Sequence, residues 1–440
     1  MAMKLKSILY LAASFVMAQV ASASIAEQAV RTKAAGIDII AYPMGVKDVI
    51  TVSGSLPAGD VYAKEGNLAA PTLVGMLLDK GTTKQDKFSI AKQLDDVGAQ
   101  LGFGVGAQTV TVQARFLKKD LPLVMRLMAE QLRTPAFSGE EIAKAKTQLE
   151  AALRQAQTNV DSRAREAFAR AIYPPEHPNR PSDSKEMLEA TGKLTVEDLQ
   201  SFHKKYYGPA HMRLVFVGDI SAPAIRKEVA KAFAGWSGGV DVERSVQPRA
   251  VQPSSPQTIV LADKASVSVM FGQPTGLRYA DADSLALRVG TAILGSGFTG
   301  RLMGRVRDKE GLTYGISASV DEDTFVDGSW VINAAFAPAL LDKGIAATRR
   351  ELQAWWEDGV TADELAARKT NLIGAFQVGL ATTRGMAGAI LLTLDRGKNL
   401  SWLDELPKAI DALTVEQVNS AIRKYLDPQK LVLVEAGTLP

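Results

Sequence analysis

Few side chains in this chain of 440 residues can bind a transition metal or attack a carbonyl. It has no cysteine and three histidines, His177, His203 and His211. Without cysteine there is no thiolate ligand for zinc or for an iron–sulfur cluster, and no cysteine nucleophile. His177 lies among prolines, and a proline-containing turn separates the other two histidines. We therefore expect a structural or solvated role for each histidine and no metal site built from them.

The overall composition is that of a soluble globular protein. Hydrophobic residues make up 46% and charged residues 22%, and 51 basic against 48 acidic side chains give a formal net charge of +3. This balance gives no reason to expect nucleic acid as a partner. No pairing of serine with histidine is found, so an independent hydrolase with serine chemistry has no support.

The first 23 residues have the features of a secretory signal. Lys4 and Lys6 precede a short apolar run at 8–17, and the small residues at 21–23 form an A-x-A cleavage site. The apolar run is shorter than the roughly 20 residues that a membrane-spanning helix needs, so cleavage is favoured over anchoring. This pattern predicts a mature chain that starts at Ser24, is exported to a bacterial periplasm and has no membrane association once the signal is removed.

The sequence contains an internal repeat, which indicates the fold that positions the candidate residues. The segment 194–197 returns at 413–416, an offset of 219 residues that continues through a helix pattern, a proline turn and a strand. A second match, at an offset of 223, relates 141–149 to 364–372. In each copy of the first match, Thr is placed to begin a helix and Gly to end the strand. Because one register is kept across three elements, we infer two tandem domains of one fold.

The boundary between the two copies follows from composition. Residues 241–257 are rich in proline and serine and are typical of a linker, which places an N-terminal domain at 24–240 and a C-terminal domain at 258–440. Within each half, strand-like runs such as 109–116 alternate with amphipathic helix patterns such as 140–158. We therefore predict an α+β fold in which each domain is a mainly antiparallel sheet covered by helices.

Motifs in both halves resemble those of the pitrilysin/insulinase family of zinc metallopeptidases, which includes the mitochondrial processing peptidases. In the first half these motifs are Leu77–Thr82 and Phe202–Tyr207, the latter followed by Leu214–Asp219. In the second half they are Ile293–Leu302 and Arg307–Tyr314. The resemblance covers essentially the whole mature chain. It implies a half-clam of two homologous domains and peptides as substrates.

Catalysis in that family uses His-x-x-Glu-His on a helix, with two imidazoles on zinc, the intervening Glu as general base and a distant Glu as third ligand. Alignment on Gly81-Thr82 places Thr72–Met76 at this motif. Neither imidazole is present, and Gly75 cannot act as a base. Glu150 falls near the position of the distant ligand, but one carboxylate does not hold zinc. The resemblance therefore implies no zinc in this chain and no peptide hydrolysis by the chain alone.

The family also places an Arg/Tyr pair in its second half, reaching across to the zinc site, and Arg307 and Tyr314 match this pair. A guanidinium and a phenol can stabilise the carbonyl oxyanion by hydrogen bonds. Strand alternation alone would put Tyr314 on the same face as Ile316, Ala318 and Val320, as a core tyrosine. Arg307 alone could be a cation in the last turn of a helix, where the dipole favours it. The resemblance favours the catalytic role for both residues.

Short bacterial members of the family pair a zinc-bearing chain with a zinc-less chain that carries Arg and Tyr. The resemblance thus implies a non-catalytic subunit of a heterodimeric periplasmic zinc endopeptidase, with zinc in the homologous partner subunit. The run 101–106 contains Gly102, Phe103 and Gly104, and its glycines would let a peptide pair with a strand edge. A twisted or bulged strand explains this run equally well. The competing interpretation of the whole chain is a zinc-less peptide-binding or scaffold protein without a role in proteolysis.

Overall fold

Strands and helices alternate through both halves of the chain. The computed structural model describes residues 24–63, 67–241 and 256–439. The predicted signal at 1–23 and all but the ends of the predicted linker at 241–257 lie outside these residues.

The first half contains strands β1 (Val30–Ala34), β2 (Ile37–Pro43), β3 (Val49–Leu56), β4 (Gln100–Val105), β5 (Val110–Leu117) and β6 (Arg213–Gly218). Its helices are α1 (Ile25–Gln28), α2 (Ala70–Leu77), α3 (Lys87–Asp95), α4 (Leu121–Arg133), α5 (Gly139–Thr158), α6 (Val160–Ile172), α7 (Ser184–Lys193), α8 (Val196–Tyr206) and α9 (Ala222–Ala232).

The second half contains strands β7 (Gln257–Val260), β8 (Val267–Pro274), β9 (Thr313–Asp321), β10 (Ser329–Phe336) and β11 (Val432–Gly437). Its helices are α10 (Ser284–Gly295), α11 (Leu341–Asp358), α12 (Ala362–Leu380), α13 (Thr383–Asp395), α14 (Ser401–Ala412) and α15 (Val415–Tyr425). A π-helical segment, Met303–Lys309, lies between α10 and β9.

The described strands form two sheets of the same design. The first has the order β1-β2-β6-β3-β5-β4, and the second has the order β7-β11-β8-β10-β9. Only β2–β6 and β7–β11 are parallel among the pairs of these described strands. The predicted α+β class with mainly antiparallel sheets is therefore confirmed. Strands β4 and β9 occupy the same edge position in their sheets.

The repeated residues begin equivalent helices. Thr195 caps α8 and Thr414 caps α15, and in both cases the residue at the third helical position, Asp198 or Gln417, bonds back to the cap. The second offset likewise relates α5 to α12. The sequence repeat is thus a repeat of structure.

The two threonine caps allow a matched test of stability. Thr195→Ala and Thr414→Ala should each lower the free energy of unfolding by about 1 kcal/mol, because each removes the oxygen that accepts the backbone N–H of the third helical residue. Urea denaturation of the two variants measures this. The Thr→Ser variants keep the acceptor and should stay near the parent, so equal losses for Ser and Ala would contradict the capping role.

One helix from each half packs on the sheet of the other half. Helix α13 packs on the face of the first sheet that points away from its core, and α6 packs in the same way on the second sheet. The first contact joins Met386, Ala387, Ile390 and Leu391 to Ile40, Tyr42, Val215 and Val217. The second joins Ala164, Phe168 and Ile172 to Met270, Val331, Val432 and Val434. The halves are therefore interlocked by packed helices.

A buried polar contact accompanies this exchange. The Asp395 carboxylate at the end of α13 accepts hydrogen bonds from the Arg213 guanidinium at 2.6 Å and from the Ser55 hydroxyl at 3.3 Å. Arg213 and Ser55 belong to β6 and β3 of the first sheet. The ion pair thus fixes the second half's helix on the first half's sheet.

Candidate functional site

Tyr314 is turned out of the protein by a bulge in the edge strand β9. Ala334 of β10 pairs with Ile316, whereas Phe336 pairs with Thr313, so β9 carries one extra residue around Tyr314. Tyr314 is 95% exposed, whereas Ile316 is 3% exposed. The prediction that Tyr314 shares a face with the buried residues of this strand is wrong, because the extra residue breaks the alternation. Tyr314 is therefore not a core tyrosine.

Arg307 lies in the π-helical segment that precedes this strand. Gly311 ends the segment with a positive φ of 66°, and its N–H donates to the Arg307 carbonyl at 2.9 Å. A left-handed residue is easily supplied by glycine, as the sequence predicts. Short π-helical turns interrupt normal helical spacing and occur often at functional sites.

The Arg307 guanidinium lies over the ring of Phe298. The guanidinium carbon is 5.4 Å from the ring centroid, a cation–π distance, and Phe298 is 74% exposed. An Asp308 carboxylate oxygen stands 3.8 Å from Arg307. Phe298 was not among the predicted site residues, although a lone aromatic between Gly297 and Gly300 is a usable signal in the sequence. The exposed Phe298 ring and the half-buried Arg307 together form an aromatic and basic surface.

Helix α12 holds the loop that carries this aromatic ring. Arg368, 7% exposed, donates to the Ser296 carbonyl at 3.1 Å and to the Thr299 hydroxyl at 3.3 Å, and burial lowers the pKa of its guanidinium. One turn earlier, Glu364 binds Arg301 through both carboxylate oxygens. Burial opposes ionisation of Glu364, but hydrogen bonding to Arg301 prevails and the pKa falls to about 2. Both ends of the loop are therefore fixed to one helix.

The segment aligned with the zinc motif, Thr72–Met76, lies on α2. A Cβ at Gly75 would lie 2.1 Å from the Val105 side chain of β4, so this side chain occupies the space beside Gly75. The Thr72 hydroxyl donates to an Asp60 carboxylate oxygen at 3.1 Å. Glu150 faces Arg154 at 3.5 Å. Within residues 24–63, 67–241 and 256–439, no group of three or more His, Asp or Glu side chains is placed to hold a metal ion.

The three histidines lie on separate parts of the first half. His177 is buried, and its Nε2 is 3.1 Å from an Asp327 carboxylate oxygen of the second half. His203 donates from Nε2 to the Leu132 carbonyl at 2.8 Å. His211 is exposed. His177 and His203 thus make structural hydrogen bonds.

His203 should make stability depend on pH. Burial lowers its pKa, although the hydrogen bond to the Leu132 carbonyl opposes this. In the unfolded chain the pKa returns to about 6.5, so below that pH the unfolded state binds more protons and the free energy of unfolding falls. Urea titrations across this range should show the fall in the parent and in His211→Gln. In His203→Gln the free energy of unfolding should depend less steeply on pH. An unchanged pH dependence in this variant would contradict the role given to His203.

The predicted peptide-binding residues Gly102, Phe103 and Gly104 lie on β4, the edge strand of the first sheet. Phe103 packs against the first core. A Cβ at Gly102 would meet nothing within 4 Å, whereas one at Gly104 would stand 3.0 Å from the Thr111 hydroxyl. The face of the strand is therefore open at Gly102, whereas the Thr111 side chain stands beside Gly104. Peptide binding at this edge stays a prediction.

A groove of about 350 Å³ lies next to the bulge in β9. Phe298 and Gly315 line one end of it, and Asp161 and Arg165 of α6 line another part. A larger depression of about 750 Å³ runs along α12, and none of the candidate residues lines it. No helix within the described ranges is both long and apolar enough to cross a lipid bilayer.

Comparison with family models gives two adjoining matches. Residues 48–181 match the model described as insulinase (peptidase family M16). Residues 193–372 match the model described as the peptidase M16 inactive domain. The second range includes Arg307 and Tyr314.

Several known proteins are similar over most of the chain. An uncharacterized zinc protease of Streptomyces coelicolor is 24% identical over 80% of this chain and 76% of its own length. The non-peptidase homolog YmxG of Helicobacter pylori is 22% identical over 84% of each chain. Among solved structures, a peptidase M16 inactive domain from Pseudomonas fluorescens superposes with a TM-score of 0.85, at 23% identity, over 94% of this chain and 98% of its own. The periplasmic protease PqqL of Escherichia coli has a TM-score of 0.77 at 14% identity, over 95% of this chain and 46% of its own.

Proposed function

Since the chain belongs to the peptidase M16 family and contains a match to that family's inactive domain, we propose that it is the non-catalytic subunit of a heterodimeric periplasmic zinc endopeptidase. The observation that carries this proposal is the exposure of Tyr314 at a bulge of an edge strand. A tyrosine that points into solvent contributes nothing to the core of its own sheet. A role toward another molecule explains its position better.

Tyr314 and Arg307 would act on the peptide rather than on a metal of this chain. A zinc ion in the partner subunit would polarise the scissile carbonyl and supply the attacking hydroxide. The Tyr314 hydroxyl donates a hydrogen bond to the oxygen of that carbonyl as negative charge develops on it. Arg307, held over Phe298, adds a second hydrogen-bond donor, and this donor carries a positive charge.

The first half would supply the wall of the chamber that encloses the peptide. Its own zinc motif is absent, and Val105 fills the space next to Gly75. Strand β4, which carries Gly102 and Gly104, is the edge strand of the first sheet and would pair with an extended peptide through backbone hydrogen bonds. The predicted signal at 1–23 and the similarity to a periplasmic protease support a periplasmic location.

Reconstitution tests the proposal directly. The mature chain from Ser24 is mixed with a zinc-bearing homologue from the same organism, and cleavage of quenched fluorescent peptides is followed. We expect no cleavage by this chain alone, co-elution of the two chains on gel filtration, and cleavage by the pair that a chelator abolishes. Absence of both pairing and stimulation with every such homologue would overturn the proposal.

The second candidate is a zinc-less peptide-binding or scaffold protein. The similarity to a protein called a non-peptidase homolog favours it. A protein without a role in proteolysis would not stimulate a zinc-bearing homologue, so the two candidates differ in whether reconstitution yields cleavage.

A further inference from the structure

The outer face of the second sheet is covered by α6 along only part of its area. Where α6 packs, the sheet presents large apolar side chains such as Met270 and Val331. Farther along the same face the residues become small or polar, with Ala335 opposite Ser268 and Asn333 opposite Ser317. Small residues leave the groove of about 350 Å³ described above.

This groove extends from Phe298 and Gly315 in the second half to α6 in the first half. Gly315, which follows Tyr314 directly, lines it together with Phe298, the ring under Arg307. The opposite wall is the first turns of α6, which bring Asp161 and Arg165 into the lining. One end of the groove thus lies next to Tyr314, through Gly315, and next to Arg307, through Phe298.

The groove is lined by one acidic and one basic side chain of α6, and only the acidic one is accounted for by its position in the helix. Asp161 lies in the first turn of α6, where the helix dipole favours an acidic side chain. Arg165 lies one turn later and is exposed, and no ion-pair partner for it is found in the described part of the chain. Two other arginines of the same helix are paired, Arg163 with Glu166 at 3.1 Å and Arg170 with Asp183 at 3.9 Å. Arg165 is thus an available cation in a groove.

We propose that this groove is a subsite for an acidic side chain of the peptide substrate and that Arg165 is its specificity-determining residue. The inference rests on the proposed function for the identity of the ligand as a peptide. The small residues Ser268 and Ala335 leave room for the methylene stem of a glutamate, and Ser317 and Asn333 add polar groups beside the carboxylate. The positive charge of the Arg165 guanidinium would then favour a glutamate side chain over a glutamine side chain.

Peptide binding and cleavage test the subsite separately. Short labelled peptides carry one glutamate at each position in turn, with matched glutamine and lysine series. Binding to the mature chain is followed by fluorescence anisotropy, and cleavage by the reconstituted pair gives the ratio of kcat/KM for each Glu and Gln peptide. We expect a two- to fivefold preference for glutamate at one position, the range of an exposed ion pair, and its decline at high salt.

The variant Arg165→Glu should reverse this preference toward lysine, and Arg165→Met should abolish it. The control Lys227→Glu makes the same change of charge on the exposed face of α9 and should leave the preference as it is. Circular dichroism and urea denaturation show that each variant is folded.

The two proposals fail in different ways. An acid preference that Arg165→Glu reverses in the binding assay supports the subsite even if no partner restores cleavage. An active pair with no glutamate preference at any position, or with a preference that Arg165→Glu leaves unchanged, overturns the subsite while the proposed function stands.

Discussion

Replacing Tyr314 with phenylalanine should lower the kcat of the reconstituted pair by about 10² to 10³, with a much smaller change in KM. The change removes one hydroxyl from a ring that is 95% exposed, so the fold and the packing of β9 should be unaffected. Loss of a single oxyanion donor has an effect of this size in other hydrolases, because the hydrogen bond strengthens as charge develops in the transition state.

Steady-state kinetics on quenched peptides measures this effect. Tyr425→Phe is the matched control, because it also removes a phenol hydroxyl, one that binds Asp283 within the second half. Arg307→Ala should reduce kcat in the same direction, and the double variant should lose less than the product of the single effects if both residues act on one oxygen. Full activity of Tyr314→Phe would leave a structural subunit as the remaining interpretation.

Replacing Asp395 with asparagine should lower the free energy of unfolding by about 3 to 5 kcal/mol. Asp395 is 7% exposed and binds the partly buried Arg213 at 2.6 Å. Removing one charge of a buried pair leaves the other without compensation in a poorly solvated place. Because this pair joins α13 to the sheet of the other half, the loss should also make urea unfolding less cooperative.

The double replacement Arg213→Met with Asp395→Leu distinguishes the cost of leaving one buried charge unpaired from the contribution of the ion pair itself. It removes both charges, so its stability should lie closer to that of the parent than either single variant does. Glu150→Gln breaks the Glu150–Arg154 pair, whose Arg154 side chain is largely exposed, and should cost less than about 1 kcal/mol. Equal losses for Glu150→Gln and Asp395→Asn would contradict the argument from burial.

Local signals predicted the elements of the fold well. The threonine caps of α8 and α15 and the left-handed Gly311 depend on residues close in sequence, and the repeat fixed which elements correspond. The alternation of buried and exposed residues along a strand gave the wrong position for Tyr314. The one-residue bulge in β9 depends on how this strand pairs with Ala334 and Phe336 of the neighbouring strand. Such a pairing cannot be predicted from the sequence of one strand alone.

The exchange of helices was also beyond prediction from the sequence. The apolar faces of α6 and α13 could have packed on their own sheets, and only the arrangement of both halves decides between the two choices. The missing zinc motif, by contrast, could be located by position alone. The structure adds the physical consequence, which is that the Val105 side chain occupies the space beside Gly75.

The exchange of helices also imposes an order on the folding of the chain. The first sheet is complete in sequence at Gly218, but the helix that covers its outer face ends only at Asp395. Until α13 packs on that face, Ile40, Tyr42 and Val217 face solvent or a chaperone, so the first half cannot finish folding before the second half is nearly complete.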